Sequence, residues 1–184
     1  VASSGIREVR AADIAQARQL GFVIRLVGIA DCSHGHLLQR VRPCLVPFSH
    51  PLAHVKGATN AVVAESNFAG RLLFQGAGAG AGPTASAIVA DLIDIARGTA
   101  GPPFSLPVQG LVPMAPADPG DRIGRDYIRF TVADRPGVLA EITAAMRDAG
   151  VSIESLIQHG RASEDGGEVL VAMVTHEGPE RCVT

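Results

Sequence analysis

Residues 76–84 read GAGAGAGPT, four glycines on alternate positions, then Pro83 and Thr84. How this run is taken decides the fold. Ahead of it, RLLFQ (71–75) has the composition of a strand. After it, TASAIVADLIDIAR (84–97) is the strongest helical pattern in the chain: Ala85, Ile88, Val89, Leu92, Ile93 and Ala96 share one face, and Gly98 ends it. Strand, glycine turn and helix are the first elements of a dinucleotide-binding unit. The fingerprint for that unit, however, needs a third glycine where Ala81 stands and an acidic residue closing a second parallel strand. The nearest acids, Asp91 and Asp94, lie inside the helix, so a complete Rossmann fingerprint is excluded. Two readings remain. The glycines bring bare backbone close to a ligand at a helix start that favours anions, or they serve only the backbone angles of a turn.

Working outward, AVVAES (61–66) and GRLLFQ (70–75) flank Asn67, Phe68 and Ala69 and predict a β-hairpin. HPLAHV (50–55) suits one helical turn with proline near its start. LLQRVRPCLVP (37–47) predicts a strand broken or bulged at Pro43, and FVIRLVGIA (22–30) another strand. ADIAQARQL (12–20), stopped by Gly21, predicts a short helix. In the other direction, residues 98–125 hold six of the prolines and little periodicity, and read as a linker or extended wrap separating two units. Beyond it the order is strand (127–133), helix (137–149), strand (151–159), turn (164–167) and strand (169–175), a βαββ arrangement. The expected class is α+β: a mixed sheet with helices over 1–99, a linker over 100–125, and a partial ferredoxin-like unit over 126–184.

The 184 residues are 47% hydrophobic, enough for a buried core, with a formal net charge of −2 and both signs dispersed. Nucleic acid and anionic membrane are therefore not expected partners. The apolar runs are too short and interrupted to span a bilayer. Three cysteines (Cys32, Cys44, Cys182) without a CxxC point to a reducing cytoplasm rather than a disulfide framework, and Cys32 and Cys44 read as small core residues. His34 with His36, and His50 with His54, lack a carboxylate or cysteine to complete a metal set, so no metal is expected. The start on Val1 and the close on GPERCVT, which reads as the first turn of a helix, suggest a piece of a longer chain.

HPLAHVKGATNAVV (50–63) followed by FQGAGAGAGPTASAIVADLIDIAR (74–97) resembles homoserine dehydrogenase. That family carries a histidine-proline-leucine stretch and an asparagine-alanine-valine ahead of G-x-G-A-G-x-x-P-T-A-S-A, which falls here on Gly76 to Ala87. GIREVRAADIAQARQLGFVIRLVGIA (5–30) resembles the entry to the second half of that family's catalytic domain. Glu65-Ser66-Asn67 departs from it, standing where the family more often has glycine-aspartate. The resemblance implies a role: the chain returns through this turn to an upstream Rossmann unit near the nicotinamide end of NAD(P). It makes Gly78, Ala79 and Gly80 the far wall of a cofactor cleft, with Thr84 capping the helix. It also implies an omission, because the family's catalytic lysine and substrate-holding acids precede Gly5. Lys56, the only lysine, lies outside the family's lysine motif. No catalytic residue is assigned, and these residues alone are expected to be inactive.

YIRFTVADRPGVLAEITAAMRDAGVSIESLIQHG (127–160) resembles an ACT domain, whose strand, D-R-P-G-V-L, helix and G-V-S-I fall on Asp134 to Leu139 and Gly150 to Ile153. Pro136 is expected in the first helical turn. Gly137 leaves N–H groups open to a carboxylate, and Asp134 either caps the helix or meets a ligand. Leu139, Ile142 and Met146 are core by spacing. The resemblance implies an amino-acid effector, threonine, held between Asp134, Gly137 and Val138 of one copy and Ser152 and Ile153 of its neighbour in a homo-oligomer, dimer or tetramer. The rival reading is a stand-alone amino-acid sensor.

Overall fold

The computed structural model describes residues 5–32, 35–99, 101–102, 105–159 and 167–183. By their contacts the residues form two compact units. One joins Val1–Leu45 with Ala115–Thr184; the other is Val46–Met114. The proline-rich stretch therefore does not separate two units in the way its composition suggests. Its second half belongs with the first 45 residues and the βαββ region.

In the first unit, α1 (Ala11–Gln19) starts with Asp13 at its third position, whose carboxylate accepts the Arg10 N–H at 2.7 Å. That is the acidic half of a capping box. A turn at Gly21 (φ +86°) leads into β1 (Phe22–Asp31). Strand β2 (His36–Pro47) runs on through Pro43 without the expected break. In the sheet order β1-β2-β5, the short β5 (Ala115–Pro116) pairs in parallel with His36 and Leu37 of β2.

Strands β6 (Ile123–Gly124) and β7 (Tyr127–Ala133) come next, followed by α3 (Val138–Asp148), β8 (Ile153–His159), β9 (Glu168–Thr175) and β10 (Gly178–Pro179). β7, β9 and β8 form an antiparallel sheet in that order, as the βαββ reading requires, and β10 pairs with β6. Of the expected turn, residues 164–166 lie outside the described residues. The tail forms a 3-10 turn at Glu180–Cys182.

Central strand β9 explains its own sequence, EVLVAMVT. A strand covered on both faces reads as a continuous apolar run, and Val171, Ala172, Met173 and Val174 are fully buried. On one face Val171 and Met173 pack with Met146 and Ile142 of α3 and with Ile128 and Phe130. On the other, Val174 packs with Ala17 and Leu20 after α1, with Phe22 and Ile24 of β1, and with Leu45 and Tyr127. Leu139, expected in the core, is 37% exposed. Cys32 is also exposed and Cys44 only half-buried, contrary to their core reading.

The second unit holds the hairpin, β3 (Thr59–Ser66) against β4 (Gly70–Ala77), and α2 (Ala81–Arg97). Eight residue pairs run without a slip from Thr59↔Ala77 to Ser66↔Gly70, so the departure at Glu65-Ser66-Asn67 leaves the register intact. The Pro51–His54 3-10 turn precedes it, with the His50 ring Nδ1 accepting the Leu52 N–H at 3.3 Å. No residue of α2 is buried. Ile88, Val89, Leu92 and Ile93, from the face predicted to be apolar, are 42–58% exposed. Among the described residues no helix is long and apolar enough to cross a membrane.

Candidate functional site

The glycine run divides its work among three elements. Gly76 and Ala77 close β4, Gly78 follows it, Ala79 and Gly80 bend, and Gly80 is the residue before α2. Gly80 holds φ +115°, ψ 158°, where an L side chain is strained, so this position needs glycine. A Cβ on Gly78 would collide with the Asn60 side chain, whereas one on Gly76 or Gly82 would meet nothing within 4 Å. Glycine is thus required at Gly80, and a side chain at Gly78 would have to displace Asn60, while the remaining glycines leave exposed bare backbone.

Thr84 does not cap the helix. α2 begins three residues earlier, at Ala81, and no side chain caps it; the Thr84 N–H instead makes the first helical bond, to the Gly80 carbonyl at 3.2 Å. The early start is possible because Pro83 falls within the first turn, where a missing N–H removes no helical bond. Ala81 and Gly82 are left to offer the open donors.

At the second site, β7 delivers Ala133, and Asp134 to Gly137 form the loop into α3. Gly137, φ +94°, precedes the helix, so Pro136 lies outside the first turn and Asp134 is too far upstream to cap it. Asp134 is fixed by its backbone instead, its N–H donating to the Gly167 carbonyl at 2.8 Å. The loop and the start of α3 wall a shallow open cavity of about 290 Å³, closed by Gln158 and Val169. The cavity gathers Asp134, Gly137 and Val138. Ser152 and Ile153 lie outside it, at the far end of β8 from Gln158. Gln158, which the sequence reading did not single out, shares strand parity with Leu156, a partly buried residue packed against the core, and is itself exposed at the cavity.

Two polar clusters bind the first 45 residues to the βαββ region. In the first, the Tyr127 hydroxyl lies 2.8 Å from Asp13 Oδ1 and 2.9 Å from the Gln16 side-chain oxygen, and the Arg129 guanidinium donates to Asp13 Oδ2. Burial, then the hydrogen bond to Asp13 and its charge, push the Tyr127 hydroxyl well above the ordinary phenol range. In the second, Glu180 accepts from Arg40 at 2.7 Å, Arg42 at 3.0 Å and Arg122 at 3.0 Å, and Asp126 lies 3.6 Å from Arg42. Burial raises the Glu180 carboxyl, but the Arg40 hydrogen bond and the charges of Arg42 and Arg40 outweigh it, and the net shift is downward. Asp126 moves up through burial and the Glu180 charge.

Among the described residues no three His, Cys, Asp or Glu side chains gather as they would around a metal ion; His34 lies outside those residues. Lys56 sits in an exposed turn before β3.

A homoserine dehydrogenase family profile matches residues 1–93, and an ACT domain profile matches residues 127–181. The chain belongs to the homoserine dehydrogenase family. Homoserine dehydrogenase from Synechocystis sp. is 41% identical over 189 residues, and that from Mycobacterium tuberculosis 43% identical over 183. These alignments cover 96% and 94% of this chain but 42% and 41% of the relatives, so the chain spans about two-fifths of their length. A crystal structure of homoserine dehydrogenase from Thiobacillus denitrificans superposes with a TM-score of 0.81 at 35% identity, covering 97% of this chain and 41% of that one. The S. aureus homoserine dehydrogenase at pH 6.0 gives 0.62 at 26%, over 95% and 41%. For this homoserine dehydrogenase family member, the likeness runs through both matched regions and the stretch between them.

Proposed function

We propose that this chain is the C-terminal portion of an NAD(P)-dependent homoserine dehydrogenase, which interconverts L-aspartate 4-semialdehyde and L-homoserine in the cytoplasm, and that its ACT region answers to an amino-acid effector, threonine. The observation that carries the reading is the alignment of 94–96% of the chain with relatives of that name. The exposed backbone of Gly78, Ala79 and Gly80 suits the close approach of a nicotinamide held by the remainder of the enzyme. Thr84 would contribute from the first turn of α2 as a contact, not as a cap. NAD(P) supplies the hydride; the residues in hand supply one wall and no proton-transfer group.

Effector binding is supported by the Asp134–Gly137–Val138 wall and the open N–H groups starting α3. Ser152 and Ile153 would serve the neighbouring copy of a homo-oligomer, dimer or tetramer, since they lie outside the cavity of their own chain. The test pairs two measurements. Joined to its preceding coding sequence, the protein should oxidise NADPH with aspartate 4-semialdehyde, while this chain alone should give no turnover yet release heat with L-threonine. Turnover by the chain alone would overturn the missing-lysine reading. No turnover by the joined protein, with threonine binding retained, would favour the stand-alone sensor.

A further inference from the structure

We propose that Glu180 is a positioning residue that links the state of the effector cavity to strand β2, so that ligand in the cavity is felt in the homoserine dehydrogenase part of the chain through Arg40 and Arg42. The inference rests on the effector reading of the cavity given above.

One strand spans the distance. Val169, near the start of β9, walls the cavity, and Thr175 ends the same strand, about 20 Å away at strand rise. Being buried on both faces and paired on both edges, β9 has no room to absorb a displacement within itself. Its far end is fastened twice: the Thr175 N–H donates to the Asp126 carbonyl at 3.0 Å, and the Asp126 N–H to Thr175 Oγ1 at 2.9 Å. Three and four residues later Gly178 and Pro179 pair with Gly124 and Ile123, and the Glu180 N–H donates to the Arg122 carbonyl at 3.0 Å. What moves β9 therefore moves Glu180.

Glu180 in turn grips β2. Arg40 and Arg42, two positions apart, lie on one face of that strand and both donate to Glu180 Oε2. Arg122 takes the other oxygen. Three guanidiniums face two carboxylates, Glu180 and Asp126, so withdrawing Glu180 leaves like charges together and the cluster opens rather than deforms smoothly. The cluster is not fully satisfied even when closed, because the buried Arg40 Nε has no hydrogen-bond partner among the described residues. A buried ion cluster adds little net stability over an apolar replacement, and its use lies in specifying one reversible arrangement. Strand β2 then carries on past Arg42 to Pro47, into the chain that forms the second unit.

The experiment is hydrogen–deuterium exchange on the 184-residue chain with and without L-threonine, read on the amides of residues 37–46 and paired with calorimetry. In the wild type, threonine should slow exchange in β2 by about tenfold, the scale of ordinary site-to-site coupling. Glu180→Gln should bind threonine with affinity unchanged within about threefold while the β2 response disappears, and Glu180→Asp should restore part of it. Arg42→Gln attacks the same cluster from the other strand and should give the same split, which covers the case in which Glu180→Gln fails to fold. Threonine binding with no β2 response in the wild type, or a response that survives in both variants, overturns this inference and leaves the effector site standing. No threonine binding by the wild type overturns the effector reading and this inference with it.

Discussion

The Tyr127 hydroxyl meets Asp13 Oδ1 at 2.8 Å, across 114 residues of sequence. The same carboxylate takes Arg129 and the Arg10 N–H on its other oxygen, and Asp13 is only 3% exposed. One acid thus closes the start of α1 and joins it to the first strand of the ACT region. Asp13→Ala should lower unfolding stability by roughly 3 kcal/mol, the lower end of the cost of breaking a buried pair, because Arg129 keeps some exposure to water. Urea denaturation followed by circular dichroism measures it, and a loss under about 0.5 kcal/mol, the scale of an ordinary surface change, would refute the role.

Tyr127 predicts an alkaline effect. Its folded pKa is raised above the unfolded value near 10.0, so the stability it contributes is whole below pH 10 and is lost as pH rises toward the folded pKa. Tyr127→Phe should cost roughly 2 kcal/mol at pH 7, for a hydrogen bond to a buried charge. It should also flatten the decline in stability above pH 10. A variant whose alkaline decline matches the wild type would contradict this.

Glu180 works at the other end of the scale. Its folded pKa is depressed, so its contribution is present above the ordinary carboxylate range and disappears as pH falls through the folded value. The groups facing it are Arg40, Arg42, Arg122, Asp126 and Cys44. Asp126, whose pKa is raised, contributes with the opposite sign. Glu180→Gln should therefore remove part of the acid-induced loss of stability, and Asp126→Asn should deepen it. Denaturation midpoints between pH 3 and pH 7 test both; parallel curves for all three proteins would rule the assignment out.

The α2 face predicts a surface property. Ile88 and Leu92, at 55% and 58% exposure, sit in an apolar stripe with Val89 and Ile93 that is open to water. The chain should bind the dye ANS in its native state. Replacing both residues with serine should reduce that fluorescence by about half or more while stability changes by less than about 0.5 kcal/mol, because neither side chain is buried to begin with. A large stability loss would mean that the face is covered within the chain.

The seven longer strands, with the hairpin, and the three α-helices of the described residues were legible from local pattern, while the two-residue strands β5, β6 and β10 were not. EVLVAMVT announces a doubly covered strand, and AVVAES with GRLLFQ announces its turn. What sequence reasoning missed is long-range. Nothing local marks Asp13 or Glu180 as the centre of a cluster, because their partners lie more than 100 residues away for Asp13 with Tyr127 and for Glu180 with Arg40. Thr84 misled because a threonine before an apolar run is a common cap, and only the angles of Gly80 move the start back to Ala81. Leu139 has core spacing but sits where the cavity wall needs an apolar side chain.

A unit that joins Val1–Leu45 to Ala115–Thr184 sets an order of events during synthesis. The hairpin and α2, built from neighbours in sequence, can form while the ribosome is still at work. The cradle for β1 and β2 must wait longer: Val174 completes the apolar packing and Glu180 neutralises the arginines only once synthesis has passed Glu180. Until then the early strands wait with their oily side bare, the interval in which a chaperone, or a neighbouring nascent chain, has its opportunity.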